Sequence, residues 1–231
     1  MAPTKFYGSG FPYKKIKNLP GKLIVVEGTD GVGRSTQIEL LKKWLEKSGY
    51  AVSDTGLSRS PLTQPGIEEA KGGNKLFPLT NSLFYATDFA DRLENQIIPA
   101  LKAGFIVLSD RYFYSIIARG VLRGIDPSWA RNIYGFALVP DMVLYLKADI
   151  DTLITRIVHG RGFNYWEAGM DILKLDNLYD SFLEYQTRMI EQFSIMAKEF
   201  NFHIINANRS IKVTNDEIMT QIQPILDEYN K

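Results

Sequence analysis

The feature that most constrains this chain is a glycine-containing loop between a short apolar run and an amphipathic segment. Residues 22–27 predict a buried strand, and residues 35–48 place Ile38, Leu41 and Leu45 on one face at helical spacing. The loop between them reads Gly28, Thr29, Asp30, Gly31, Val32, Gly33, Arg34, Ser35 and Thr36. It follows the G-x-x-x-x-G-K-[ST] pattern at every fixed position except the lysine. The order of strand, loop and helix predicts a phosphate-binding loop.

Physical chemistry explains why such a loop binds the phosphates of a nucleotide. Glycines let the backbone curl until successive N–H groups face one anion, and the dipole of the following helix points to the same place. We therefore predict that residues 28–36 bind ATP and that the Ser35 hydroxyl holds Mg²⁺. An ordinary glycine turn is the alternative, but the full strand–loop–helix context favours a phosphate site.

Arg34 stands where the pattern has a phosphate-contacting lysine. A guanidinium group is a planar fork that binds phosphate oxygens in pairs, whereas an ammonium group is a compact point donor. Three outcomes follow: an active enzyme that uses Arg34 in the role of lysine, a slow or altered enzyme, and a nucleotide binder without turnover.

The rest of the chain alternates short apolar runs with amphipathic segments. Further strands are predicted at residues 50–54, 105–109, 142–147 and 202–206, and a long helix at residues 81–103. This alternation predicts a three-layer α/β P-loop fold, with a parallel sheet, helices on both faces and a short lid. We predict one domain over residues 21–231. The preceding arm, residues 1–20, is rich in Pro, Gly and Lys, and its simplest interpretation is a solvated tail.

Composition excludes several classes of function. The 27 basic and 26 acidic residues nearly cancel, so we expect neither nucleic acid nor a membrane as a partner. The sequence has no cysteine, which excludes disulfides, thiolate zinc sites and cysteine nucleophiles. Its apolar runs are far shorter than the roughly 20 residues that span a bilayer, and residues 1–20 lack a secretory pattern. We therefore expect a cytoplasmic protein.

Three motifs together resemble thymidylate kinases. They are Val26-Glu27-Gly28-Thr29-Asp30-Gly31 with Ser35-Thr36-Gln37, then Ser109-Asp110-Arg111-Tyr112, then Pro140-Asp141-Met142-Val143-Leu144-Tyr145-Leu146. The similarity extends from about residue 21 to residue 226. It implies transfer of the γ-phosphoryl group of ATP to a nucleoside monophosphate, with dTMP as the leading candidate. It also implies a homodimer formed through helices that flank the sheet.

The resemblance assigns roles to residues around the phosphate loop. Asp110 ends a predicted central strand, where open α/β sheets bind ligands, and is a candidate to hold magnesium. Arg111 is a candidate to neutralise the acceptor phosphate, and an ion pair between these two residues is the structural alternative. Asp30 resembles the acid that faces the acceptor sugar. Arg59 resembles the arginine that grips the acceptor phosphate, although Ser60 replaces the neighbouring glutamate of the family.

A basic, glycine-flanked segment at residues 159–163 occupies the position of the family's lid. Arg156 and Arg161 are candidates to close over the phosphates, with surface arginines as the alternative. The predicted catalytic residues are therefore Arg34, Asp110, Arg111 and Arg161. We expect His159 to be an ordinary surface histidine. The aromatic run at residues 163–167 either packs the closed lid or caps the core.

The base-recognition side departs from the family. Family members carry an aromatic ring that stacks on thymine and, one helical turn later, a base-reading arginine, where this chain offers Tyr85 and Phe89. Arg92 is roughly 10 Å along the helix from Tyr85 and is a poor substitute. Arg119 and Gly120 replace a tyrosine and a glutamine. The predicted acceptor-binding residues are Asp30, Arg59, Tyr85, Phe89, Arg111, Tyr112 and Arg119. A different acceptor, or a nucleotide-binding regulatory module with little turnover, remains an alternative.

Overall fold

In the computed structural model, which describes residues 4–72 and 77–229, the predicted strands form a parallel sheet. The strands are β1 (Lys22–Gly28), β2 (Val52–Gly56), β3 (Ile106–Asp110), β4 (Met142–Lys147) and β5 (His203–Asn206). Within the described ranges they lie in the order β2-β3-β1-β4-β5, and each neighbouring pair is parallel. The first strand therefore lies at the centre, and its carboxyl end leads into the phosphate loop. This topology confirms the predicted α/β fold.

Helices connect the strands. They are α1 (Arg34–Lys47), α2 (Gln64–Gly72), α3 (Pro78–Arg92), α4 (Ile98–Lys102), α5 (Phe113–Leu122), α6 (Pro127–Ile133), α7 (Ile150–Val158), α8 (Leu178–Glu199) and α9 (Ile211–Tyr229). The helix predicted over residues 81–103 is interrupted by a π-helical turn, Leu93–Ile97, just before Pro99. Proline has no N–H to continue the helical ladder, which favours a change of bonding there. Among the described residues, no helix is long and apolar enough to cross a membrane.

Two layers of apolar side chains cover the two faces of the sheet. Along β1, Leu23 and Val25 pack into the cluster that contains residues of α3, α5 and α8. Ile24 and Val26 point the other way, into the cluster that contains residues of α1 and α9. Successive strand side chains alternate between faces, so a strand that is apolar throughout must be covered on both sides. The predicted three-layer arrangement is thereby confirmed.

The described part of the N-terminal arm, residues 4–20, packs on the core instead of forming a solvated tail. The Tyr7 ring lies edge-on to Phe113 and Phe200, with centroids 5.2 and 5.4 Å apart. Its hydroxyl group is 2.5 Å from the hydroxyl group of Tyr114. The sequence did not predict this packing, because aromatic residues that are spaced irregularly among glycine and proline show neither helical nor strand periodicity.

We predict that Tyr7→Ala lowers the free energy of unfolding by about 2–3 kcal/mol, because it removes a half-buried ring from an aromatic cluster. Tyr13→Ala is the matched control. Its ring is 62% exposed, so we expect a change within about 0.5 kcal/mol. Urea denaturation followed by circular dichroism measures both. Equal, small changes in the two variants would show that the arm does not stabilise the fold.

Candidate active site

An open cavity of about 1180 Å³ lies at the carboxyl ends of β1, β2 and β3. Cationic and anionic side chains both line it. The cationic ones are Arg34, Arg59, Lys71, Arg111, Arg119 and Arg161, and the anionic ones are Asp30, Asp110 and Glu167. Open parallel α/β sheets bind ligands at this edge, and an excess of positive charge in a cleft attracts anions. The cavity is therefore suited to a ligand that carries several phosphate groups.

The phosphate loop reaches this cavity in a conformation that requires glycine. Gly31 and Gly33 adopt φ values of 81° and 97°, which side chains other than glycine rarely adopt. A Cβ atom on Gly31 would also lie 2.8 Å from a side-chain carbon of Ile157. No side chain among the described residues caps the first turn of α1, which begins at Arg34. The N–H groups of this turn are therefore suited to phosphate oxygens.

Arg34 crosses the loop and contacts its carbonyl groups. Its Nη1 donates to the carbonyl oxygen of Gly28 at 2.7 Å and to that of Thr29, and its Nε donates to Asp110 Oδ1 at 2.9 Å. The Ser35 hydroxyl donates to the other oxygen of Asp110, also at 2.9 Å. Burial alone would raise the pKa of Asp110, but the charge of Arg34 holds that pKa below its usual range. Asp110 is therefore an ionised carboxylate beside a hydroxyl group.

Asp30 lies buried between two arginines. Nη2 of Arg119 donates to its two oxygens at 2.9 and 3.2 Å, and Nη2 of Arg111 donates to one of them. Burial alone would raise the pKa of Asp30, but the charges of both arginines hold it far below its usual range. The sequence left open an ion pair between Asp110 and Arg111. In the structure, Arg111 pairs with Asp30 and Arg34 pairs with Asp110 instead.

The backbone of Arg111 is unusual. Its φ is 71°, a left-handed conformation that is uncommon outside glycine and is concentrated at functional sites. The Nη1 of its guanidinium group donates to the Gly28 carbonyl at 3.1 Å and to the Ser115 hydroxyl at 2.9 Å. These bonds hold the guanidinium group against the phosphate loop.

Arg59, to which the resemblance assigns the acceptor phosphate, lies near the carboxyl end of β2. It lines the cavity, and its Nη1 donates to Asp54 Oδ2 at 3.2 Å. Gly56 makes room for it, because a Cβ atom there would be 3.0 Å from Arg59 Nε. The structure thus brings Arg59 to the same cavity as Arg34, Asp110 and the phosphate loop.

A second, narrow cavity adjoins the first. The two share Leu57, Lys71, Tyr85 and Arg119 as lining residues. Asn81 and Ser82 also line the smaller one, together with Ile116, Gly120, Arg123 and Trp166. Sequence reasoning missed Asn81 and Ser82, although they precede Tyr85 by four and three residues and so share its helix face. That spacing is the signal by which they could have been found.

Phe89 and Tyr112 lie in the core instead of at the predicted acceptor contacts. Both are fully buried, with ring centroids 4.7 Å apart, and neither lines the two cavities. The Tyr112 hydroxyl donates to the Leu138 carbonyl at 3.1 Å. Phe89 lies one helical turn beyond Tyr85, where α3 packs on the aromatic core. An apolar ring is favoured at such a buried position. Arg92, which is a poor substitute by its distance along the helix, is fully buried and lines neither cavity.

The two lid candidates have different surroundings. Arg161 lines the larger cavity and pairs with Glu167 at 2.6 and 2.7 Å. Arg156 instead donates to the carbonyl groups of Val32 and Ala207, at 2.9 and 2.7 Å. It therefore ties the phosphate loop to the segment after β5, because several carbonyl oxygens converge on its fork of donors. This placement differs from its predicted role over the phosphates.

The aromatic run after the lid divides between two surroundings. Phe163 packs against Phe182 in a small core cluster, with centroids 5.1 Å apart. Trp166 lines the smaller cavity, and its indole N–H donates to the Lys71 carbonyl at 3.3 Å. The exposed His159 contacts only the carbonyl of the preceding turn among the described hydrogen bonds, as expected of a surface histidine.

Known proteins resemble this chain over most of its length. The family model for thymidylate kinase matches residues 26–218. The chain is 41% identical to the probable thymidylate kinase 2 of Saccharolobus solfataricus, over 90% of this chain and 97% of that protein. It is 33% identical to the probable thymidylate kinase of Thermococcus gammatolerans, over 88% of this chain and 96% of that protein. It is also 28% identical to the thymidylate kinase of Brachyspira hyodysenteriae, over 89% and 95%.

This chain matches these relatives over nearly their whole length. The region that the family model matches contains the phosphate loop, the Asp30 ion pairs and both cavities. The resemblance that the motifs indicated is thereby confirmed. The chain belongs to the thymidylate kinase family.

Proposed function

We propose that this chain transfers the γ-phosphoryl group of ATP to dTMP, with dTDP and ADP as products. The bond between the β- and γ-phosphates breaks, and a bond forms to an oxygen of the acceptor phosphate. The observation that carries the proposal is the continuity of the two cavities, one lined by the phosphate loop and the other by an aromatic ring and polar groups. The phosphate of the nucleoside monophosphate would lie toward the donor, and its base would lie against Tyr85.

The donor side uses the loop at residues 28–36. Its N–H groups and Arg34 hold the phosphates of ATP. Ser35 and Asp110 would hold Mg²⁺, because their oxygens lie 2.9 Å apart and a hard cation prefers such ligands. Among the described residues no three carboxylates or histidines could hold a metal by themselves, so nucleotide oxygens would complete the set. Magnesium would neutralise charge on the transferring phosphoryl group.

The acceptor side must bring a second anion close to the first. Arg59, Arg111 and Arg161 line the shared cavity and would offset the repulsion between the donor and acceptor phosphates. Asp30 would face the acceptor sugar. The family further suggests a homodimer, and a cytoplasmic location would supply ATP; both remain part of this proposal.

The first prediction is that Mg-ATP binds more tightly than about 1 mM, roughly 4 kcal/mol, and that Gly33→Ala weakens binding at least about tenfold. An alanine at φ 97° forces the loop to shift. Gly49→Ala is the matched control, because Gly49 has φ 89° and, like Gly33, no atom within 4 Å of an added Cβ. Calorimetry measures all three affinities. Equal losses in the two variants would contradict a nucleotide site at the loop.

The second prediction is that Asp110→Asn lowers kcat by a hundredfold or more, about 3 kcal/mol, and leaves the melting temperature nearly unchanged. The physical reason is that Asp110 lies in the cavity beside Ser35. Asp141→Asn makes the same change at the opposite edge of the sheet, where Asp141 accepts the Leu23 N–H at 2.8 Å. We expect the control to keep its kcat. If Asp110→Asn instead lowered the melting temperature substantially along with kcat, Asp110 would belong to a structural ion pair.

The third prediction is that dTMP is preferred over dUMP, UMP and CMP by less than about tenfold in kcat/KM, roughly 1.4 kcal/mol. The base-reading arginine is replaced by Phe89, which the core encloses. Asn81 and Ser82 line the cavity instead, and an amide or a hydroxyl group can each donate or accept. Such groups can pair with either the thymine or the cytosine edge. Steady-state rates with the four acceptors test this.

Arg119 offers the alternative, because it lines both cavities. Arg119→Ala should be measured beside Arg131→Ala, whose arginine pairs with Glu199 outside them. A strong native preference for dTMP that disappears only in Arg119→Ala would contradict the third prediction and assign base reading to Arg119. Negligible rates on all four acceptors, with ATP still bound, would favour another acceptor class or the regulatory alternative.

A further inference from the structure

Asp88 is a buried charged group that the proposed reaction does not use. It lies on α3 and pairs with Arg92 at 2.9 Å, and neither side chain is exposed. A buried ion pair is weak evidence for stabilisation, because the cost of removing both charges from water offsets their attraction. The other contacts of Asp88 therefore indicate what this residue does.

Those contacts are made to the turn that carries Arg59. Asp88 Oδ2 accepts the backbone N–H of Ser58 at 3.1 Å, and Oδ1 accepts the backbone N–H of Ser60 at 3.0 Å. The Thr63 hydroxyl approaches the same Oδ1 at 3.4 Å. One carboxylate thus holds the backbone on both sides of Arg59.

The turn needs such an anchor. Ser58 has a φ of 56°, a left-handed conformation that a serine keeps only when its surroundings enforce it. The side chain of Arg59 is 48% exposed and pairs with the partly exposed Asp54. A long side chain on a free turn would lose much conformational entropy on binding a phosphate, and a fixed backbone reduces that cost.

Arg92 holds Asp88 in turn. Besides its bond to the carboxylate, its Nη1 lies 3.4 Å from the Thr55 hydroxyl, near the carboxyl end of β2. Thr55 precedes Gly56, the residue that makes room for Arg59. The pair therefore links α3, the end of β2 and the turn into one rigid unit.

We propose that Asp88 is a positioning residue for the acceptor phosphate, acting through the turn that presents Arg59. The proposal rests on the proposed function, because it takes the phosphate that Arg59 binds to be that of the acceptor. Asp88 has no contact with the reacting atoms. Asp88 acts by fixing the position of Arg59 before the acceptor binds.

The test is Asp88→Asn, which keeps the shape of the side chain but replaces one acceptor oxygen by a donor. We expect the KM for dTMP to rise at least tenfold and the KM for ATP to stay within twofold. Asp91→Asn is the matched control, because Asp91 accepts the hydroxyl of Ser60 at 2.5 Å and contacts no backbone N–H of the turn among the described bonds. We expect its KM for dTMP to stay within twofold of the native value.

A double variant separates positioning from a general effect. If Asp88 acts through Arg59, then Asp88→Asn with Arg59→Ala should raise the KM for dTMP no further than Arg59→Ala does alone. Independent, multiplying effects would overturn the proposal. If Asp88→Asn fails to fold, Asp88→Asn with Arg92→Met removes both buried charges and takes its place in the same cycle.

Amide hydrogen exchange adds a readout that needs no turnover. In Asp88→Asn, the amides of Ser58 and Ser60 should exchange at least tenfold faster than in the native chain. The exchange rate of the Ile24 amide in β1 should be unchanged. An unchanged KM for dTMP in a folded variant, or unchanged exchange at both serines, overturns the positioning role alone. A native chain that binds ATP but does not phosphorylate dTMP overturns the proposed function and, with it, the acceptor role of Asp88.

Discussion

The ion pairs of Asp30 with Arg111 and Arg119 are the interaction on which the rest of the site depends. Asp30 belongs to the phosphate loop, Arg111 follows β3 and Arg119 lies on α5, so one carboxylate joins three segments. Burial and the neighbouring charge of Arg34 lower the pKa of Arg111 to about 10. At neutral pH it therefore remains charged. A cluster of guanidinium groups that would otherwise repel one another is thus kept in place before any phosphate arrives.

The proposed donor and acceptor sides of the site are built differently. The donor side comes from one continuous stretch, residues 28–36, with Asp110 added from the neighbouring strand. The acceptor side is assembled from α2, α3, α5 and the segment after α7, which bring Lys71, Tyr85, Arg119 and Trp166 together. A pocket assembled from distant segments can change its lining one residue at a time.

Much of the fold could be predicted because its signals are local. The strand at residues 142–147 was predicted with its observed bounds, since its apolar residues form an uninterrupted run. The long helix was predicted without its π-helical turn, because periodicity does not report a local change in hydrogen bonding. The arm was expected to be solvated, and Tyr7 instead packs on Phe113. That contact joins residues far apart in the chain, which no local pattern records.

The sequence by itself predicted the phosphate loop and a parallel sheet, because the spacing of glycines and apolar residues reflects backbone geometry, and its three motifs indicated the family. Only the tertiary structure decided which side chains line the two cavities. Tyr85 reaches the cavity while Phe89, one turn later, is enclosed, and Arg161 lines the cavity while Arg156 binds carbonyl groups. The physical reason is that the direction of a side chain depends on what packs against its helix from elsewhere. Charge and helical spacing indicate which residues could line the cavity. Contacts between distant segments determine which of those residues do.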